Sequence, residues 1–382
     1  MPEGGIAMQE PRNPERPAGG DAPAQGERGP RDPLPLTSPL PAAPLPRAPV
    51  ARVIDMHGHC GAPDAERLLA GRPERAAEMA AMAAASGAAS MRHNAEVMLP
   101  AAGARMASLE RRLADLDMMG VDLQIVAPSP HLYAYWADPV LAGELVAAVN
   151  SAAVALVARA PERLAGMGIV ALQHPELAAR QLREAAALGL RGVEISSSAG
   201  GMELCDQRLD PFWAEAEASG MPVFIHPLGS SLGARLDGFY LSNTIGQPAE
   251  TAIALSQMIF SGVFDRFPAL KVVGAHGGGY LPAYIGRSDH AWAVRPEARG
   301  CERPPSSYLD RIWVDSIVFD RAQVLALMAR MGAGRVMFGT DYPFDMSDCR
   351  PAALAAALAG DAAGEAAMNS VLGGTAAALF GL

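Results

Sequence analysis

The stretch Asp55-Met56-His57-Gly58-His59 carries two imidazoles two positions apart. Side chains two apart on a strand point to the same side. His57 and His59 can therefore present both rings to one divalent ion, and imidazole suits Zn, Fe, Co or Ni. An isolated His-x-His pair is also compatible with two buried structural histidines, so what matters is where other imidazoles and carboxylates fall. Three candidates stand in similar settings: His226 in Phe224-Ile225-His226-Pro227, His276 in Gly274-Ala275-His276-Gly277-Gly278-Gly279, and Asp341 in Phe338-Gly339-Thr340-Asp341-Tyr342-Pro343.

Each closes a short β-branched run. Strands are expected at 53–57, 123–126, 167–170, 192–195, 223–226, 272–276, 312–315 and 336–339. Between them, apolar residues recur at three and four spacing, as in Leu109 to Met119, Leu141 to Leu156, Leu177 to Leu188 and Val324 to Met331, which marks amphipathic helices. Eight strands alternating with helices point to an α/β protein, a (β/α)8 TIM-type barrel, with an open doubly wound sheet as the alternative. In such a barrel the active site lies at the C-terminal rim of the strands, and all five candidate side chains arrive there. Residues 60–104 interrupt the alternation with an Ala- and Met-rich stretch that reads as a helical insertion after strand 1, placed to cap the site.

The remaining composition narrows the function. Of 382 residues, 31 are Lys or Arg and 41 Asp or Glu, a net charge of -10. No global field would draw the chain to nucleic acid or an anionic membrane. No run of about 18 strongly apolar residues and no leader-type N-terminus is evident, so a cytoplasmic protein acting on a small molecule is expected. The cysteines Cys60, Cys205, Cys301 and Cys349 show neither CxxC spacing nor a disulfide framework. Residues 1–50 are dense in Pro, Gly, Ala and Arg, too poor in large apolar groups to offset the entropy of ordering, and read as a disordered tail before a barrel over 51–382.

Other histidines lack strand-end partners: His93 falls in the insertion, His174 and His290 in a loop and a helix, and His131 is a pocket candidate only because it follows strand 2. The run Gly277-Gly278-Gly279 has no P-loop lysine, and close backbone approach beside the site explains it better than a phosphate cradle.

Several longer stretches carry a family resemblance. They are Pro248-Ala249-Glu250-Thr251 through Gly262-Val263-Phe264, Phe267-Pro268-Ala269-Leu270-Lys271-Val272, Ala275-His276-Gly277-Gly278-Gly279, Gly286-Arg287, Tyr135-Trp136-Ala137 and Gly339-Thr340-Asp341-Tyr342-Pro343-Phe344. Over residues 52–382 the chain resembles the 2-amino-3-carboxymuconate-6-semialdehyde decarboxylase group of amidohydrolases. That resemblance implies a single zinc, with Mn, Fe or Co as alternatives, held by His57, His59, His226 and Asp341. It implies His276 as the catalytic acid or base, working with Asp341, and Phe344 as a pocket wall. It also implies a homodimer in which Arg287 reaches into the neighbouring subunit to hold a substrate carboxylate. Leu228 and Asn243 stand where that group has tryptophans, so the pocket walls differ, and its further carboxylate-binding arginine falls on either Arg92 or Arg105.

The chemistry of the residues agrees with those roles. An ion with three imidazoles, one carboxylate and an open position lowers the pKa of bound water, and an adjacent imidazole can take or return a proton. Two-metal relatives need a carboxylated lysine on strand 4, where this chain has Glu194, and its single lysine, Lys271, opens strand 6 away from the rim. One metal is expected. The expected reaction is a non-oxidative decarboxylation of a small unsaturated or aromatic carboxylic acid, with hydrolysis of an amide, ester or lactone as the competing enzyme reading and a metal-free binding barrel as the non-enzyme one.

Overall fold

A computed structural model describes residues 40–41, 43–359 and 364–382. Its parallel strands are β1 Ile54–Cys60, β2 Leu123–Pro128, β3 Leu164–Gly166 continued as Gly168–Ile169, β4 Val193–Ile195, β5 Val223–Ile225, β6 Val272–Gly274, β7 Ile312–Asp315 and β8 Val336–Met337. Ladders run from β1 through β2 to the first part of β3, and from its second part through β4, β5, β6 and β7 to β8. Met167 N donates to Val126 O at 2.8 Å, linking the two parts of β3, and at the other side Met56 N donates to Phe338 O at 2.9 Å and His59 N to Tyr342 O at 2.7 Å. The strands thus return on themselves as the expected (β/α)8 barrel.

Alternation along the strands sorts the apolar residues into two layers, as a barrel packed on both faces requires. Ile54, Met56, Leu123, Ile125, Ala165, Met167, Phe224, Val273 and Met337 fill the interior. Val193, Ile195, Val223, Ile225, Val272, Ile312 and Val314 face the helices outside. β3 begins three residues earlier than expected, because Leu164-Ala165-Gly166 pairs with β2 despite lacking the β-branched side chains by which strands are read.

The interruption after β1 is helical, with helices at Pro63–Leu69, Pro73–Ser86, Ala88–His93, Asn94–Met98 and Leu99–Ala107. It reaches the mouth of the barrel, where His93 Nε2 lies 3.2 Å from Asp345 Oδ2.

Two expectations change. One helix among the described residues, Pro139–Ala158, is long and apolar enough to cross a membrane, contrary to the reading of the bare sequence. Its Leu141, Leu145, Val149 and Ala153 are buried, and Asn150 within it accepts from Ile169 N at 2.8 Å and donates to Ile169 O at 3.1 Å, so it packs as a core helix on β3. Of the segment assigned to a tail, residues 1–39 and 42 lie outside the described residues. Residues 43–50 lie against the barrel: Leu45 N donates to Met118 O at 2.9 Å, Ala48 is buried, and Arg47 pairs with Asp122.

Candidate metal centre and active site

Strict alternation after the inward-facing Met56 would send His57 out of the barrel. A register shift between Asp55 and Gly58 resets the phase, so that both histidines turn to the mouth. Buried Asp55 fixes this bulge. Its Oδ1 accepts from His57 N (3.0 Å) and Thr340 N (2.9 Å), and its Oδ2 from Gln124 Nε2 (2.7 Å) and Thr340 Oγ1 (2.6 Å). Arg112, on the helix Leu109–Met119, donates to Gln124 Oε1 and, at 2.6 Å, to His59 O. Gly58 is required here, since a Cβ would lie 2.5 Å from Gln124 Cδ.

His57 and His59 are fully buried and His226 and Asp341 nearly so. His57 Nε2 lies 3.1 Å from His59 Nε2, which is 3.1 Å from Asp341 Oδ1, and one ligand atom from each of His57, His59, His226 and Asp341 falls within 4.8 Å of the others. His57 Nδ1 meets Asp315 Oδ2 at 2.9 Å and His226 Nδ1 meets Pro227 O at 3.0 Å, which leaves each Nε2 bare. His226 Nε2 is buried with no partner among the described residues. A divalent cation fits this donor set: three imidazole nitrogens and a carboxylate oxygen converge within 4.8 Å of one another.

His276 stands beside the four, its Nε2 3.6 Å from Asp341 Oδ2. Both residues adopt the left-handed region, His276 at φ 56° and Asp341 at φ 62°, which costs a non-glycine residue roughly 1–2 kcal/mol. Asp315 at the end of β7 holds the first, its Oδ2 accepting from His276 N and its Oδ1 from Gly277 N, both at 2.9 Å, and from Ile317 N at 3.0 Å. His57 O holds the second, accepting from Asp341 N at 2.7 Å. The triple glycine permits close backbone approach as expected: a Cβ on Gly279 would lie 2.0 Å from Pro248 O.

The charges are strongly coupled. Burial pushes Asp341 up, but its bonds to His276 and His59 outweigh this and hold it well below the usual carboxylate range. Burial pulls His59 and His276 down, yet Asp341 leaves both above the ordinary imidazole value. His226 lies well below, through burial and the neighbouring imidazoles. Asp315, though burial pushes it up, is held low by His57 and His276. Glu194 points inward from β4 and is fully buried. Its Oε1 accepts from Tyr133 Oη at 2.5 Å, and burial raises its carboxyl to about 7.

Of the substrate-binding candidates, Phe344 lies with its ring centroid 5.2 Å from that of His59. Arg287 is exposed on the helix Leu281–Val294, outside the cluster. Arg105 bonds to Asp115 at 3.2 Å and to Ala101 O, whereas Arg92 is exposed on Ala88–His93. His131 pairs with Glu66. Sequence reasoning missed Asp55, Asp315 and Tyr133. The first two carried a readable signal, a carboxylate inside or at the end of a strand that leads to the rim.

A family profile described as amidohydrolase matches residues 54–382. The 2-amino-3-carboxymuconate-6-semialdehyde decarboxylase of Dictyostelium discoideum is 36% identical over 274 residues, 71% of this chain and 76% of that protein. The solved 5-carboxyvanillate decarboxylase of Sphingomonas paucimobilis superposes with a TM-score of 0.74 at 26% identity, over 87% of this chain and 99% of that one. A dihydroxybenzoic acid decarboxylase of Polaromonas, solved with bound manganese and the inhibitor 2-nitroresorcinol, superposes with a TM-score of 0.71 at 25% identity, over 87% and 97% of the two chains.

Proposed function

The chain belongs to the amidohydrolase family, and on that premise we propose that it is a metal-dependent, non-oxidative decarboxylase of a small aromatic or unsaturated carboxylic acid. The observation that carries this reading is the convergence of His57, His59, His226 and Asp341 within 4.8 Å, with His276 Nε2 3.6 Å from Asp341. Those four residues would hold one divalent ion, zinc by resemblance, with manganese, iron and cobalt as the competitors that elemental analysis of the purified protein separates. When bound, the ion supplies Lewis-acid polarisation of substrate oxygens.

The chain's own residues do the rest. His276 carries a proton on Nε2 and delivers it to the carbon that gives up its carboxylate, so that carbon dioxide leaves and a C–H bond takes its place. Asp341 sustains the charged form of that imidazole. Phe344 provides an apolar wall beside His59 against which a planar acid stacks. Arg287, exposed in one subunit, would grip the substrate carboxylate in the site of a second, making the working unit a homodimer. The four unpaired thiols suit a reducing compartment, and we place the enzyme in the cytoplasm.

The test is carbon dioxide release by metal-reconstituted protein from 2-amino-3-carboxymuconate-6-semialdehyde and a panel of aromatic acids, with His276→Ala as control. Release that is lost in the variant supports the reading. No release from any acid, together with turnover of a lactone, ester or amide, would replace it with a hydrolase.

A further inference from the structure

Glu194 is a buried acid that the decarboxylation described above does not use. Its neighbours Val193 and Ile195 pack in the outer layer, so alternation turns Glu194 into the barrel. In the ladder it pairs with Phe224, whose ring lies 4.8 Å from that of His57. Tyr133 Oη donates to its Oε1 at 2.5 Å and lies 3.2 Å from His226 O, which ties the carboxyl to the strand end bearing a metal-ligand candidate. Its other oxygen, Oε2, is buried with no partner among the described residues. Among the charges that act on it are those of His59 and Asp341, two of the four ligand candidates.

A buried carboxylate oxygen without a partner is costly unless a positive charge faces it. A cation held by His57, His59, His226 and Asp341 would be such a charge. We propose that Glu194 is an accessory acidic group of the metal centre, a side chain that is not one of the four ligands but raises the site's affinity for a divalent cation through its charge and its free oxygen. The inference rests on the metal-dependent reading of the same site. Tyr133 is then the positioning residue that keeps one oxygen occupied and leaves the other for the ion's surroundings.

The test compares wild type with E194Q, E194D and Y133F, each prepared metal-free. Dissociation constants for Mn2+ and Zn2+ come from competition with a chromogenic chelator, and melting curves are recorded with and without metal. E194Q keeps the side chain's size and loses its charge. It is expected to weaken binding of both ions about 10- to 100-fold, while the metal-free protein melts at the same temperature as wild type or higher, since a buried charge has gone. E194D is expected to recover part of the affinity, and Y133F, which keeps the charge, to lose less than E194Q. Wild-type affinity in E194Q, or in E194D and Y133F a loss as large as that of E194Q, would overturn the inference alone. A metal-free E194Q that melts well below wild type, with an unchanged gain on adding metal, would overturn it in favour of a packing role. A wild-type protein that binds neither ion would remove both the inference and the metal-dependent reading.

Discussion

Asp315→Asn is the substitution that most directly tests how the site is held. The carboxylate accepts four hydrogen bonds, from His57 Nδ1, His276 N and Gly277 N at 2.9 Å and from Ile317 N at 3.0 Å. Asparagine offers one acceptor oxygen with two lone pairs, and its amide group turns donors toward donors. Two of the four donors lose their acceptor. At about 1.5–3 kcal/mol for each bond to a charged group, the loss is about 3–6 kcal/mol, in line with the 3–5 or so measured when one partner of a buried charged pair is removed. Asp315 is held below its ordinary value, so its contribution is present above the aspartate pKa of 3.8 and is lost only as pH falls through the lower folded value. The penalty should therefore be constant from neutral pH down to mildly acidic pH. Urea unfolding of the metal-free protein measures it, and chelator competition should show Mn2+ affinity about 10- to 100-fold weaker, because His57 loses the bond that keeps Nε2 bare. A penalty under about 1 kcal/mol with unchanged affinity would refute the assignment of Asp315 as the common anchor of His57 and the His276 turn.

Three further outcomes are expected. His59 lies above its ordinary pKa of 6.5 in the metal-free site and must lose its proton before Nε2 can bind a cation, so metal affinity should rise with pH through that range and level off above it; a flat chelator titration across the range would contradict this. Gly58→Ala places a methyl 2.5 Å from Gln124 Cδ in a packed polar network and should destabilise the fold by about 1–3 kcal/mol in denaturant unfolding, with loss of metal. If Arg287 serves the neighbouring subunit, inactive Arg287→Ala and His276→Ala proteins, unfolded and refolded together in equal amounts, should regain about a quarter of wild-type carbon dioxide release, because half the dimers then carry one intact site; no recovery would place Arg287 outside the partner's site.

What the sequence disclosed and what it hid divide along a physical line. His57, His59, His226, His276 and Asp341 were legible because imidazoles and a carboxylate at the ends of apolar β-runs are out of place on propensity alone, and barrel topology gathers strand ends at one rim. The bulge that aims His57 and His59 was not, since nothing in Asp55-Met56-His57-Gly58-His59 distinguishes a register shift from regular alternation. Asp315 carried the signal of a strand-end carboxylate, but its role as anchor, like the burial of Glu194 beside the site, shows only in long-range partners. Arg112 reads as one more charged residue on an amphipathic helix, though it is completely buried, its charge spent on Gln124 and His59 O. Residues 43–50 are as rich in Pro and Ala as the segment before them, and their place against the barrel shows only in the bond of Leu45 to Met118, the burial of Ala48 and the pair of Arg47 with Asp122.

The partners of Asp55 and Asp315 explain how the donors come to be in place. Asp55 binds the backbone at His57 and Thr340, and Asp315 binds it at His276, Gly277 and Ile317, so both carboxylates act on the chain that carries the functional side chains. The left-handed turns at His276 and Asp341 are unfavourable locally and persist because these contacts over-determine them. Convergence of the four ligand atoms is then a property of the folded polypeptide, which a cation completes but does not create. Removing metal from the holoprotein should accordingly leave the secondary structure intact and lower the melting temperature only by the linkage of binding, increasing with the metal concentration used. Loss of far-ultraviolet circular dichroism on adding a chelator would show instead that the ion organises the rim, and that Asp55 and Asp315 follow the metal rather than precede it.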